Sequence, residues 1–273
     1  MSRIATFQFD PDRPNRCVAG PRGIPGARGK SAVSIIGARP VSIPLFVLVV
    51  ATIVFRLTDV DMALVRWFFV AGASEHWPLM EAYPWKALYD WGVFPAWILG
   101  CGGLVIWIVS FIWVKLESWR DAGLYFCLLL ALGPGLLVNG VLKPCWGRPR
   151  PNNVNRFGGE QEFLPVLAWG HGLNKTSFPS GHASMGFYLM APTFVWYRRR
   201  PRLALGFLLL GLISGGAIGM ARMIAGGHFP SDIVWAGGFI YFTALVLAAP
   251  FHFGDSIPPI WKRGIVSQTV TSF

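Results

Sequence analysis

Lys143-Pro144-Cys145-Trp146-Gly147-Arg148-Pro149-Arg150-Pro151 closes one apolar run, and Phe178-Pro179-Ser180-Gly181-His182 opens another. Near the end of a third stands Arg222, followed after five residues by His228 and after three more by Asp232. The runs around these clusters approach or exceed about 18 residues, the length that reads as membrane-spanning. The chain as a whole is 53% hydrophobic and only 14% charged, well below the roughly 25% of soluble domains. In lipid, such a chain must satisfy its backbone internally. No period-two alternation suggests an outer-membrane barrel. The expected fold is therefore all-α, a six-transmembrane helical bundle with spans near 41–57, 93–114, 122–142, 182–198, 203–221 and 233–253.

Outside the spans the chain changes character. Residues 1–40 are rich in Arg, Pro and Gly and have no helical period, so they are expected to be a disordered basic tail. They are too long for a typical signal-peptide n-region, and no clear cleavage site follows the apolar run, so the first span is expected to be an uncleaved anchor. Residues 41–254 form the six-span domain, and 255–273 a second tail. Between the first two spans, 58–92 interleaves Trp67, Trp77, Trp85 and Trp91 with Asp59, Glu75, Glu81 and Asp90. This pattern suits interfacial helices or a loop with anchoring tryptophans, and a lid over a lipid entrance is a third reading. Pro192 is expected to bend the fourth span. Gly211, Gly215 and Gly219, at spacing four, let helices approach closely and place the fifth span centrally.

Basic residues set the orientation. With the amino terminus inside, the inner side holds the tail's arginines and lysine, Lys115, Arg120, Arg198 to Arg200, Arg202, Lys262 and Arg263. The outer side holds fewer, and most of those lie in or beside the three polar clusters. All three clusters are then expected on one face, the outer side of the membrane. The net charge of +11 is spread over tail and loops, not over an aromatic-lined face, so no nucleic-acid partner is expected. Cys17, Cys101, Cys127 and Cys145 have no CxxC spacing, and neither a metal site nor a structural disulfide is expected.

The clusters carry chemistry. Lys143, Arg148 and Arg150 sit among prolines that stiffen the backbone, and guanidinium groups match phosphate oxygens through paired donors. Taken alone, such cations also fit headgroup snorkelling. Ser180 stands where a helix N-cap is preferred, and Gly181 leaves the backbone open at a helix N-terminus, which favours an anion. His182 at that terminus can donate a proton to a leaving oxygen. His228 and Asp232 are four apart, so the carboxylate can fix the imidazole tautomer and raise its basicity. The break at Phe229-Pro230 puts that contact across a helix cap.

Lys143 to Pro151 resembles the Lys-x6-Arg-Pro motif of the type 2 phosphatidic acid phosphatases. Pro179-Ser180-Gly181-His182 is similar to their Pro-Ser-Gly-His motif. Arg222, His228 and Asp232 resemble their Ser-Arg-x5-His-x3-Asp motif, with Ala221 in place of the usual Ser. The likeness runs over roughly residues 41–253. It implies a metal-independent membrane phosphatase without a cofactor, acting on a phosphorylated membrane lipid. By the same resemblance His228 is the nucleophile that forms a phosphohistidine, Asp232 orients it and His182 protonates the leaving group. Lys143, Arg150, Ser180, Gly181 and Arg222 bind the phosphate oxygens, and Arg148 and Pro179 support them from behind. Arg156-Phe157-Gly158-Gly159 is similar to a stretch in the family's lipid A phosphatases. Undecaprenyl pyrophosphate and phosphatidylglycerophosphate are the other candidate substrates. A lipid phosphotransferase would use the same residues. A transporter or a non-catalytic lipid-binding protein is the reading from another class.

Overall fold

The computed structural model describes residues 39–73, 76–170 and 176–253. The expected tail at 1–40, Arg39 and Pro40 apart, and the expected tail at 255–273 lie outside the described residues. Helix α1 (Arg39–Leu57) is followed by α2 (Val60–Arg66), α3 (Trp85–Trp91), α4 (Phe94–Val109) and α5 (Arg120–Leu130). A π-helical segment, Ala131–Leu142, continues α5 into the short α6 (Lys143–Trp146). After an irregular stretch come α7 (Gly181–Tyr188), α8 (Ala191–Trp196), α9 (Pro201–Ile224) and α10 (Pro230–Ala248). Among the described residues the secondary structure is helical apart from one isolated bridge, Val154 to Gln161.

Five stretches are long and apolar enough to cross a membrane: Arg39–Leu57, Trp85–Val109, Val114–Asn153, Pro201–Ile224 and Pro230–Phe251. The fourth expected span, 182–198, is instead the pair α7 and α8, interrupted at Leu189 and Met190. Pro192 lies in the first turn of α8, where its missing N–H costs nothing. It therefore starts a new helix rather than bending an old one. Six continuous spans become five continuous ones and a broken pair. The third expected span is disturbed at Gly133-Pro134-Gly135. Pro134 has no N–H to donate, the ladder widens to the π form, and Asn139 Nδ2 donates to the Pro134 carbonyl at 2.7 Å.

The stretch 58–92 divides in two. Helix α2 buries Asp61, Met62 and Val65, whereas α3 runs through Gly92 and Val93 into α4, so the second apolar stretch begins near Trp85 rather than 93. The outward faces of α1, α4 and α9 expose Phe46, Ile98 and Ile213 among others, the surface that lipid tails would cover.

Close helix contacts explain how the bundle holds together. A Cβ on Gly186 of α7 would meet the backbone of Gly215 on α9 at 2.7 Å, so these two helices pack backbone to backbone. Helix α9 also touches α3, α8 and α10, which gives it the central place that its glycine spacing suggested. A core of Tyr125, Leu129, Tyr188, Met190 and Ile240 fills the bundle. A second cluster, Met62, Val65, Val154, Phe157, Met223 and Phe229, packs α2 beneath the irregular stretch and against the start of α10. That second cluster forms the floor of the polar end.

Candidate active site

Three backbone hydrogen bonds stitch the three sequence clusters together. Ser177 N donates to Arg148 O at 2.8 Å, Ser180 N to Asp232 O at 3.2 Å, and Asn152 N to Gly226 O at 3.0 Å. Each joins a different pair of clusters, so the triangle is closed. Backbone groups removed from water need partners, and here those partners come from segments far apart in sequence. Ser180 caps α7, its Oγ accepting from Ala183 N at 3.4 Å. Pro179 lies in the chain immediately before that cap. A Cβ on Gly181 would run into the Asn139 side chain, so any larger residue there would have to displace Asn139.

Asp232 sits in the first turn of α10 and accepts from Phe229 N at 2.8 Å through Oδ2. The same oxygen lies 3.7 Å from His228 Nδ1, an ion-pair distance but too long for a hydrogen bond. Such contacts commonly tighten only when substrate arrives. The other Asp232 oxygen accepts from Arg148. His228 is fully buried. Burial pushes its pKa down to about 4, against the opposing pull of the Asp232 carboxylate, which leaves the ring neutral at neutral pH. A neutral imidazole is the form a nucleophile needs.

Around this pair lie Lys143, Arg150, Arg222 and His182, each close enough to feel the others' charge. Arg222 Cζ stacks 4.2 Å above the Tyr89 ring, and the His182 ring lies 5.8 Å from the same tyrosine. Arg150 Nε, Arg222 Nε and Nη1, and both ring nitrogens of His228 are buried and have no hydrogen-bond partner among the described residues. Leaving a charged donor unsatisfied in this way is costly. Three cations and unpaired donors converging on one point make an anion-binding centre. Its donor set suits the oxygens of an anion such as phosphate, and the rings of His228 and His182 stand beside it.

Arg148 is not part of the anion-facing group. It is 0% exposed, and its guanidinium is spent on protein. Nε donates to Leu164 O at 2.9 Å, Nη1 to Ser231 Oγ at 2.8 Å and to Asp232, and Nη2 to Asp61 Oδ2 at 2.8 Å. It also lies over Phe229, 4.5 Å from the ring centre. Asp61, Tyr89, Asn139 and Ser231 join the site without having been singled out in the sequence. For Asp61 and Tyr89 the available signal was weak: an acid and an aromatic in an apolar stretch that read as interfacial. Burial pushes the Asp61 carboxyl up, and the Arg148 guanidinium pulls it back down. Ala221, where the resembling family has Ser, is buried on α9 next to Arg222.

The bundle, with five apolar stretches long enough to cross a membrane and a cation cluster at one end, has the make-up of a helical membrane protein. Residues 123–253, just under half of the chain, match the family model of the PAP2 superfamily. The chain is 39% identical over 133 residues to a lipid A 4'-phosphatase of Francisella tularensis subsp. novicida, covering 48% of this chain and 59% of that protein. It is 36% identical over 122 residues to a lipid A 4'-phosphatase of Rhizobium leguminosarum, covering 43% of this chain and 50% of that protein. A lipid A 1-phosphatase of Rhizobium johnstonii is 32% identical over 136 residues, covering 48% of this chain and 49% of that protein. The chain spans about half the length of the relatives it matches. No solved structure matches it.

Proposed function

We propose that this protein is a metal-independent lipid phosphatase that removes a phosphate from a lipid A-type substrate through a phosphohistidine. The convergence of unpartnered buried nitrogens from Arg150, Arg222 and His228 carries this reading, and the names of the relatives favour lipid A among lipid phosphates. The phosphate enters against Lys143, Arg150, Arg222, the Ser180 hydroxyl and the Gly181 N–H. His228 Nε2 attacks phosphorus while the bond to the leaving oxygen breaks, and His182 supplies that oxygen with its proton. Water then attacks the phosphohistidine, freeing inorganic phosphate and restoring His228. Side-chain cations supply the charge stabilisation that phosphoryl transfer needs.

The test is a panel of lipid phosphates in detergent micelles with a strong chelator present: lipid A, undecaprenyl pyrophosphate and phosphatidylglycerophosphate. Inorganic phosphate should appear from lipid A without any acceptor lipid. Phosphate release only when an acceptor is added would make the protein a phosphotransferase. Loss of activity to the chelator, restored by Mg²⁺, would overturn the side-chain mechanism.

The same reading puts the site on the periplasmic face of an inner membrane. Helix α9 carries Arg200 just before one end and Arg222 near the other, and its 24 residues span about 36 Å at 1.5 Å per residue. The exposed Arg198 to Arg200 group therefore sits a bilayer's thickness from the site, and basic residues stay on the cytoplasmic side. A reporter fused at Arg200 should read cytoplasmic and one at 160–170 periplasmic. The reverse pattern would put the site in the cytoplasm.

A further inference from the structure

We propose that Asp61 is a positioning residue of this site, acting through Arg148 and Ser231 to keep the full charge of Asp232 directed at His228. The proposal rests on the reading of His228 as nucleophile. Asp61 lies outside the stretch that matches the family model, residues 123–253, so that stretch does not contain the whole of the site's support.

The geometry runs in one direction. Asp61 Oδ1 accepts from Ser231 N at 2.9 Å, and Oδ2 accepts from Ser231 Oγ at 2.5 Å and from Arg148 Nη2 at 2.8 Å. Ser231 Oγ in turn accepts from Arg148 Nη1, so its own proton points to Asp61. All three neighbours donate to Asp61, an arrangement that favours the carboxylate against the cost of its burial. Asp61 is 1% exposed, and Arg148, Ser231 and Asp232 are 0% exposed, so water does not screen this network.

One guanidinium is thus shared between two carboxylates. Were Arg148 paired with Asp232 alone, it would draw that charge to itself and weaken the hold of Asp232 on the His228 imidazole. Asp61 takes up half of the guanidinium and leaves Asp232 with charge to spare. It also binds both the backbone and the side chain of Ser231, the residue just before Asp232, and so fixes the first turn of α10. His228 is faced by Asp232 from α10, Arg222 from α9, Lys143 from α6 and His182 from α7. Three of these four neighbours are basic. The share of Asp232 that reaches the ring therefore decides how basic the ring is.

In Asp61→Asn the amide can still accept from Ser231 N, but it turns a donor toward Arg148. Removing a negative charge disfavours the imidazolium, so the pKa of His228 should fall by about one unit. The measurement is a ¹⁵N-histidine NMR titration of the full-length protein in detergent, with His228 assigned from His228→Gln. The acid limb of kcat/KM should move to lower pH by the same amount. The value of kcat should drop about 10- to 100-fold, the scale seen for outer partners of functional histidines, with KM within threefold of wild type. A merely structural role would lower the folded fraction and leave the pKa in place. Ser231→Ala removes the hydroxyl relay with less risk to folding, and it should move the His228 pKa in the same direction by a smaller amount.

An unchanged pKa in both variants would overturn the proposal. If Asp61→Asn does not fold, the titration of Ser231→Ala decides alone. If wild-type protein hydrolyses no lipid phosphate, the phosphatase reading fails, and the titration still decides whether Asp61 acts on His228.

Discussion

A His228→Ala variant is expected to release no phosphate from lipid A and to form no phosphoenzyme, a loss of about 10⁴-fold or more, the scale on which removing a nucleophile acts. The imidazole is fully buried, neutral at neutral pH and flanked by Asp232 at 3.7 Å, and among the described residues His182 is the other histidine beside the cation cluster. The two histidines separate by leaving group. A sugar alkoxide leaves only with a proton, whereas p-nitrophenolate leaves without help. His182→Ala should therefore lose about 10²–10⁴-fold on lipid phosphate and noticeably less on p-nitrophenyl phosphate. Equal losses on both substrates would make His182 a phosphate binder. A phosphoenzyme retained in His228→Ala would reverse the assignment.

The second large effect is on stability. Arg148→Met keeps the bulk of the side chain and removes its charge, leaving Asp61 and Asp232 facing each other in a site with no exposure to solvent. Breaking a buried pair from one side costs about 3–5 kcal/mol. Thermal unfolding in detergent should show a clear drop in the midpoint, whereas the exposed Arg199→Gln should leave it unchanged. Adding Asp61→Asn to Arg148→Met removes one of the stranded charges and should recover part of the loss, because residues in one network do not act additively. A midpoint for Arg148→Met equal to wild type would mean that the guanidinium does not hold this end together.

Much of this was legible in the sequence, for local reasons. Apolar runs and their ends are read directly, so the all-helical fold and the placing of Lys143, Arg150, Ser180, His182, Arg222, His228 and Asp232 around one point followed from pattern and resemblance. What escaped depended on partners distant along the chain. The break between α7 and α8 falls at Leu189 and Met190, where Gly211 lies against the Met190 backbone and Pro192 opens a fresh helix, and hydropathy alone reads those residues as one run. The π-helical segment lies where Pro134 was visible, but the widened ladder was not. Asp61 looked like one acid among several in an aromatic stretch. Nothing near it announces that its partners are Arg148, 87 residues on, and Ser231, 170 residues on.

That last separation bears on how the protein is made. At about 5–20 residues per second, Asp61 leaves the ribosome roughly 10–30 s before Ser231 does. Over that interval its carboxylate has no finished pocket to enter, and Arg148 reaches it only partway through. Its place just after α1, in the connection and not inside a span, keeps the charge near the aqueous boundary while the remaining helices are inserted. The site is thus closed by α10, the last long helix among the described residues. A nascent chain stalled before residue 230 would carry the cations and His228 but lack Asp232, so the cluster is complete only once synthesis has passed that residue.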